Sequence, residues 1–198
     1  ARFWDIQKGS VLVRGVDIRR LPLGTLMDHI SMVFQNVYLF HDTIYNNIAM
    51  GRPDASREEV IEAAKQARCY DFIMALPDGF DTMVGEGGAN LSGGERQRIS
   101  IARCILKDAP IVILDEATAN VDADNESYIQ EAISSLCRGK TLLVIAHRLN
   151  TIFHADRILV VERGAIVQAG RHEELAAQEG VYRRFVAARS GGMGWNRR

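Results

Sequence analysis

The chain has 198 residues, which is enough for one domain with a substantial hydrophobic core. Its 24 basic and 25 acidic residues nearly cancel, so its charge gives no indication of a dedicated nucleic-acid binder. No apolar run approaches the roughly 18 residues that a transmembrane helix needs. Cys69, Cys104 and Cys137 lie far apart, which favours reduced thiols over a disulfide framework or a zinc site.

Short apolar strands alternate with helical stretches, and this alternation favours an α/β fold with a largely parallel sheet. Apolar periodicity, turn residues and helix caps set the predicted boundaries. In chain order, we predict strands over residues 10–13 and 30–34, a turn over 51–54, helices over 56–67 and 70–76, a glycine-rich loop over 85–94, a helix over 94–107, a strand over 111–114, a helix over 125–136, strands over 141–146 and 158–161, and a helix over 173–189. A disordered tail is expected over residues 190–198.

Some of these elements carry strong local signals. Ser56 and Glu59 have the spacing of a capping box, which predicts the start of a helix. Residues 111–114 form a continuous apolar run, which suits a strand buried on both faces of a parallel sheet. Residues 141–146 are predicted as a second buried strand, and residues 158–161 as a further one.

Two adjacent acids, Asp115 and Glu116, follow the apolar run over residues 111–114. In open α/β sheets, ligands bind outside the carboxyl ends of the strands. A carboxylate there can hold Mg²⁺ through water, because Mg²⁺ prefers oxygen ligands and keeps several waters. The neighbouring carboxylate can orient or deprotonate an attacking water. The alternative is a strand that ends in a solvated acidic turn without a catalytic role.

A second pattern places two glycines in the first turn of a predicted helix. Ser92 and Glu95 have capping-box spacing, and a cap alone is the structural alternative. Gly93 and Gly94 each cost a helix roughly 1 kcal/mol relative to Ala, so a simple cap does not explain them. Bare backbone at a helix N-terminus allows a phosphate to approach closely. The pattern over residues 91–98 therefore favours a phosphate-binding role.

These two patterns carry a family resemblance. Residues 91–97 resemble the signature motif of ABC ATPases, and residues 111–116 resemble their Walker B strand. The spacing of about twenty residues between the two patterns also fits that family. Residues 82–87 resemble the loop before the signature in exporter-type members, and the resemblance as a whole covers residues 1–189.

Three single residues match further family motifs in the same order. Gln35 matches the Q-loop glutamine, Asp122 the aspartate of the D-loop, and His147 the switch histidine. Taken alone, Gln35 is typical of a surface residue and His147 of a structural histidine. Their register with the two specific motifs favours the functional interpretation. The remaining histidines have no metal-ligand spacing and receive no role: His29, His41, His154 and His172.

The resemblance implies a P-loop NTPase-like fold with a mostly parallel sheet and an inserted helical subdomain, incomplete at its N-terminus. Residues 1–48 and 109–189 would form the ATPase core, and residues 49–108 the helical subdomain that ends in the signature helix. Two such domains would sandwich each ATP between the phosphate loop of one and the signature helix of the other.

The resemblance also implies roles for the residues that match the motifs, with ATP and Mg²⁺ as cofactors. Gln35 and Asp115 would hold Mg²⁺, and Glu116 would act on the attacking water. His147 would steady the γ-phosphate, and Asp122 would complete the catalytic set. The nucleotide of the partner domain would be contacted by four residues of the signature: Ser92, Gly93, Gly94 and Gln97.

A phosphate loop of the pattern G-x-x-x-x-G-K-[ST] is missing from the sequence. The tripeptide Gly139-Lys140-Thr141 is a false match, because position 134 is Ser and the tripeptide precedes a predicted strand. Residues 1–5 resemble the end of the helix that the loop opens. We therefore expect a truncated sequence, inactive alone, rather than a chain that naturally begins here.

The favoured function is an exporter-type transport ATPase at the cytoplasmic face of a membrane, working with a second nucleotide-binding domain. A membrane domain, fused upstream, is expected to contact residues 37–48. The alternatives are a degenerate cassette that only completes a partner's site, and a soluble ABC ATPase acting on DNA or ribosomes. The sequence leaves open the substrate, the direction of transport, and whether the two domains are identical.

Overall fold

The structure, a computed structural model, describes residues 2–115, 123–145 and 153–190. The chain divides into two compact units, residues 1–145 and residues 146–198. The disordered tail was predicted over residues 190–198. This is wrong for Ser190, which is the last residue of a helix, and residues 191–198 lie outside the described residues.

The first unit begins with a short hairpin of strands β1 (Leu12–Val13) and β2 (Val16–Asp17), which pair antiparallel. The two residues between them, Arg14 and Gly15, both have positive φ, at 50° and 79°. Such a turn matches the right-handed twist of paired strands. Helix α1 (Leu23–Asp28) follows. The predicted strand over residues 10–13 is thus shortened, and its hairpin partner and α1 were not predicted.

Three parallel strands form the sheet of the first unit, which confirms the predicted α/β architecture. They are β3 (Ile30–Val33), β4 (Ile111–Asp115) and β5 (Thr141–Ile145), in the order β3–β4–β5. Val33 lies opposite Leu114, and Asp115 lies opposite Ile145. All three strands therefore end at the same edge of the sheet.

The prediction that residues 141–146 form a buried strand is wrong in its burial. In β5, Leu142, Leu143 and Ile145 are 42%, 52% and 48% exposed. The reason is position, since β5 lies at the edge of the sheet that the described residues form, whereas β4 lies between two strands. Residue 146 lies outside the described residues.

Five further helices of this unit follow in chain order: α2 (Ile44–Ala49), α3 (Arg57–Gln66), α4 (Tyr70–Met74), α5 (Gly93–Lys107) and α6 (Ala123–Cys137). The capping box of Ser56 and Glu59 is present at the start of α3, as predicted. Helix α2 was not predicted, because its six residues are too short to show a clear apolar period.

The main hydrophobic core joins the sheet to these helices. Val33, Val112 and Leu114 of the sheet pack in one cluster with buried residues of all five helices. The other face of the sheet packs a smaller cluster around Ile18, Leu26 and Ile30. Strand β4 contacts both clusters, as expected for a strand covered on both faces. The division into a core and a helical subdomain remains a prediction.

The second unit contains strands β6 (Ile158–Glu162) and β7 (Ala165–Gly170) and helices α7 (His172–Ala177) and α8 (Val181–Ser190). β6 was predicted as a buried strand over residues 158–161, which is wrong in its burial, because Leu159 and Val161 are exposed. It pairs antiparallel with the unpredicted β7, and a tight turn joins the two strands. The single helix predicted over residues 173–189 is wrong. Gln178 is extended and Gly180 has a φ of 158°, so the helix is broken between α7 and α8.

Candidate functional site

The carboxyl edge of the sheet brings two predicted site residues to the same level. Asp115 is the last residue of β4 and is partly buried. Gln35 is exposed and follows the end of β3 by two residues. Since Val33 pairs with Leu114, the chain leaves both strands at the same edge, where ligands bind in open α/β sheets.

Three further predicted residues, Glu116, Asp122 and His147, lie outside the described residues. In the sequence, Glu116 directly follows Asp115, and His147 follows the last residue of β5 by two positions. The three strands end at a common edge of the sheet, while the positions of Glu116, Asp122 and His147 remain predictions.

The N-terminus of α5 is capped by Ser92. Its Oγ accepts a hydrogen bond from the Glu95 N–H at 3.2 Å, and the Glu95 carboxylate accepts one from the Ser92 N–H at 2.7 Å. The Ser92 hydroxyl keeps its own proton for donation to a further acceptor. The N–H groups of Gly93 and Gly94 belong to the first turn, where helices leave donors without intrahelical acceptors.

The first turn of α5 is open on its outer side. Ser92 and Gly93 are exposed, and a Cβ at Gly93 would meet no atom within 4 Å. An anion can therefore reach the backbone there without displacing a side chain. Gly94 is buried, and Gln97 is only 4% exposed. Burial separates Gln97 from the open surface, which argues against direct contact between its amide and an outside ligand.

The loop before α5 is fixed to the helix by Arg96. Its Nη1 donates to the carbonyl oxygens of Leu91 at 2.7 Å and Gly88 at 3.2 Å. Gly88 has a φ of 79°, and a Cβ there would collide with the Arg96 side chain. Glycine is thus required at this position. Asn90 adds two hydrogen bonds to the same loop, to the Met83 oxygen and the Gly85 N–H.

The segment over residues 37–48 follows Gln35 and presents an aromatic pair to the surface. Tyr38 and Phe40 are 55% and 48% exposed, and their rings pack edge to face with centroids 5.3 Å apart. Leu39, between them, is completely buried. The segment therefore both packs in the core and exposes apolar surface, and we call Tyr38 and Phe40 the aromatic patch.

The sequence analysis missed two residues that support this segment, Asn47 of α2 and Arg103 of α5. Asn47 is fully buried and bonds the backbone of Phe40, and Arg103 donates to Asn47. One signal was available, because Asn47 shares a helix face with the apolar Ile44 and Ile48. A polar residue on such a face has to be hydrogen-bonded in the interior.

Two features of the described residues bear on ligands and membranes. No group of three or more His, Cys, Asp or Glu side chains within 2–115, 123–145 and 153–190 can hold a metal ion by itself. A cation that keeps most of its waters needs no such group. In the same part of the chain, no helix is long and apolar enough to cross a membrane.

Comparison with known proteins gives a consistent result. A family model described as "ABC transporter" matches residues 1–119. The "ATP-dependent lipid A-core flippase" of Legionella pneumophila (strain Paris) is 55% identical over 181 residues, which are 91% of this chain and 31% of that protein. The "Putative multidrug export ATP-binding/permease protein YgaD" of Bacillus subtilis (strain 168) is 50% identical over 182 residues, which are 92% and 31%.

A solved structure described as "Structure of a bacterial Atm1-family ABC exporter with ATP bound" shares the fold, with a TM-score of 0.88 and 43% identity. The match covers 96% of this chain and 33% of that one. The chain thus spans about a third of the length of the relatives that it matches.

Proposed function

Because this chain belongs to the ABC transporter family, we propose that it is the ATP-binding and ATP-hydrolysing part of an exporter that moves its substrate across a membrane. The observation that carries the proposal is the carboxyl edge of the sheet. Asp115 ends the central strand there, and β3 and β5 end at the same level, two residues before Gln35 and His147 in the sequence.

The donor set at this edge fits Mg²⁺. Asp115 supplies a carboxylate at the end of β4, and the exposed Gln35 supplies an amide oxygen. Both are oxygen ligands, and an ion held by one or two protein ligands keeps the rest of its water shell. When bound, the ion would neutralise negative charge on the phosphates of ATP.

Glu116, Asp122 and His147 are proposed as the remaining catalytic residues. Glu116 follows the metal-holding Asp115, so its carboxylate is the candidate general base for the attacking water. His147 would donate a hydrogen bond to the γ-phosphate as charge develops. Asp122 belongs to the segment between β4 and α6 and is assigned from the family resemblance.

The first turn of α5 is proposed to contact ATP held by a second nucleotide-binding domain. Ser92 is exposed and offers its hydroxyl proton, while Gly93 and Gly94 offer backbone donors at the positive end of a helix. The open space outside Gly93 supports this role. Gln97 remains a prediction from the resemblance, and among the described residues its buried Nε2 has no hydrogen-bond partner.

The aromatic patch is the proposed contact with the membrane domain. Tyr38 and Phe40 expose contiguous apolar surface within residues 37–48, and such surface commonly marks an interface. The name of one relative, an "ATP-binding/permease protein", contains both ATP binding and a permease function. We therefore place this domain at the cytoplasmic face of a membrane.

The proposal is tested in the complete gene product by Glu116→Gln. Loss of a general base should lower ATP hydrolysis roughly 10²–10⁴-fold. Binding of Mg-ATP should persist, because Asp115 and the backbone donors are unchanged. The measurements are phosphate release and equilibrium binding of the nucleotide.

Glu162→Gln is the matched control, because Glu162 also ends a strand, β6, and is exposed. It should hydrolyse ATP at the unmodified rate. If Glu116→Gln stays within about threefold of the unmodified protein, Glu116 is not the base. If the unmodified protein neither binds nor hydrolyses ATP, the proposed function is wrong.

A further inference from the structure

We infer that Asn47 and Arg103 form a positioning pair that couples the aromatic patch to the first turn of α5. The inference rests on the proposed function, in which the patch meets the membrane domain and the first turn of α5 meets ATP. It assigns to these two residues a role in transmitting a displacement from one contact to the other. Neither residue touches ATP in this account.

Asn47 holds the backbone of Phe40 from both sides. Its Oδ1 accepts a hydrogen bond from the Phe40 N–H at 2.9 Å, and its Nδ2 donates to the Phe40 oxygen at 3.0 Å. The second Nδ2 proton is donated to the Thr43 oxygen, also at 3.0 Å. The amide thus acts like a neighbouring strand, and the exposed Phe40 ring sits on a backbone fixed from the interior.

Arg103, near the middle of α5, donates two hydrogen bonds to the same asparagine. Its Nε donates to the Asn47 backbone oxygen at 2.8 Å, and its Nη2 donates to Asn47 Oδ1 at 3.1 Å. Every donor and acceptor of the Asn47 side chain is then used. Burial lowers the pKa of Arg103, because the buried cation has lost much of its hydration. Its hydrogen bonds to Asn47 take the place of water.

The contact is tight as well as polar. A Cβ at Gly51 would lie 2.2 Å from the Arg103 backbone oxygen, so the end of α2 packs directly on the α5 backbone at this level. Helix α5 is continuous from Gly93 to Lys107. At 1.5 Å per residue, the first turn lies roughly 15 Å from Arg103 along one rigid element.

A second contact joins the same segment to the loop before α5. The Ile44 N–H donates to the Thr82 oxygen at 3.0 Å, and the Val84 N–H donates to the Asp42 oxygen at 2.8 Å. Arg96 then fixes that loop to the start of α5. The segment that carries the aromatic patch is therefore tied to α5 near both its beginning and its middle.

This arrangement has a mechanical consequence. Phe40 cannot shift relative to α5 unless Asn47 moves with it or its hydrogen bonds break, which would leave buried polar groups unsatisfied. The favoured outcome of pressure on the aromatic patch is a joint shift of Phe40, Asn47 and α5. A movement of that kind would change the position of the turn that carries Ser92.

The first test measures this coupling without reference to transport. In the complete gene product, hydrogen–deuterium exchange of α5 is compared between the unmodified protein and Phe40→Ala. We expect Phe40→Ala to change exchange in the first two turns of α5. In an Arg103→Met background, Phe40→Ala should change this exchange by an amount at least about threefold smaller. A difference of this size is typical of residues that belong to one interaction network.

Lys107→Met is the matched control background. Lys107 is also a partly buried cation of α5 that donates to two backbone oxygens, those of Met27 and Ile30 at 2.8 Å each, but it has no bond to the segment over residues 37–48. The effect of Phe40→Ala on α5 should persist in this background. The inference would be overturned if the effect of Phe40→Ala on exchange in α5 were lost equally in both backgrounds. It would also be overturned if that effect persisted in the Arg103→Met background.

The second test measures the amount of substrate moved per ATP hydrolysed. A purely structural defect lowers transport and hydrolysis in proportion, whereas lost coupling lowers transport alone. We expect Arg103→Met to reduce the ratio at least about threefold and Lys107→Met to leave it unchanged. If Arg103→Met does not fold, Arg103→Lys is tested by the same criteria. Lysine keeps the positive charge but cannot form the two hydrogen bonds that Nε and Nη2 donate to Asn47. An unmodified protein without ATP-driven transport would refute the proposed function, and the exchange experiment would still decide the coupling.

Discussion

At the residue scale, burial separates neighbours in the sequence into different roles. Leu39 is fully buried while Tyr38 and Phe40 on either side are about half exposed, so the four apolar residues that begin at Val37 serve both core and surface. Burial also lowers the reactivity of two cysteines, Cys69 and Cys104. It raises the pKa of Cys69 to about 12 and that of Cys104 to about 11, so both thiols stay protonated at neutral pH.

We predict that Phe40→Glu uncouples transport from hydrolysis in the complete gene product. The Phe40 ring is 48% exposed and contributes little to the core, so the protein should fold and keep most of its ATPase activity. A carboxylate in an apolar contact is costly, so transport should be lost. Both activities are measured in reconstituted vesicles.

Met74→Glu is the control for this prediction, because Met74 is 53% exposed on α4 and lies outside residues 37–48. It should retain transport. Parallel loss of transport and hydrolysis in Phe40→Glu, or a protein that no longer folds, would show that Phe40 serves the packing of its own segment.

At the element scale, caps and close contacts decide where helices begin and how near they approach. The capping boxes at Ser56 and Ser92 were evident from the sequence and are present with both reciprocal hydrogen bonds. Helix α2 was not evident, and its position depends on contacts that are distant in sequence. Gly51, two residues after α2 ends, packs on the α5 backbone at a position more than fifty residues later in the chain.

Gly51→Ala should destabilise the protein by about 1–3 kcal/mol, the usual cost of overpacking. The added methyl group would meet the Arg103 oxygen at 2.2 Å, and backbone atoms cannot move aside as a flexible side chain does. Thermal unfolding of the complete gene product measures the effect. Gly24→Ala in α1 is the control, since its added Cβ meets nothing within 4 Å, and Ala favours helix. An unchanged midpoint for Gly51→Ala would mean that α2 and α5 separate easily.

At the scale of the whole molecule, the sheet that the described residues form has an apolar edge strand. In β5, Leu142 is exposed on one face of the strand, and Leu143 and Ile145 are exposed on the other. Soluble monomers rarely leave much apolar surface uncovered. The sequence also contains no G-x-x-x-x-G-K-[ST] loop, the usual cradle for the phosphates of a nucleotide. These two observations predict how the 198-residue chain behaves by itself.

The chain expressed alone should self-associate and should bind Mg-ATP only weakly, with a dissociation constant above about 100 μM, because the backbone cradle and lysine of a phosphate loop supply most of the charge stabilisation. Light scattering and calorimetric titration measure the two properties. The complete gene product is the positive control. Micromolar affinity in a monodisperse preparation of the chain alone would contradict this prediction.

Local sequence patterns identified most of the strands and helices. The parallel strands β3 and β4 follow from apolar runs, and α3 and α5 follow from their caps. The break between α7 and α8 was missed, because apolar periodicity continues across it while Gly180 takes a conformation that the pattern does not reveal. The strand β7 was missed for a different reason, since its residues are mostly exposed and it depends on its pairing with β6.

The sequence by itself determined the local patterns from which the chemistry of the candidate site is predicted, because paired acids after an apolar strand and glycines in a capped first turn are local features that need no partner to be recognised. Only the tertiary structure decided which residues connect the parts. Asn47, Arg103 and Gly51 derive their roles from contacts across more than fifty residues of chain, and no local pattern encodes such a contact. The physical reason is that the cost of an unsatisfied polar group or a steric collision exists only once distant segments have packed together.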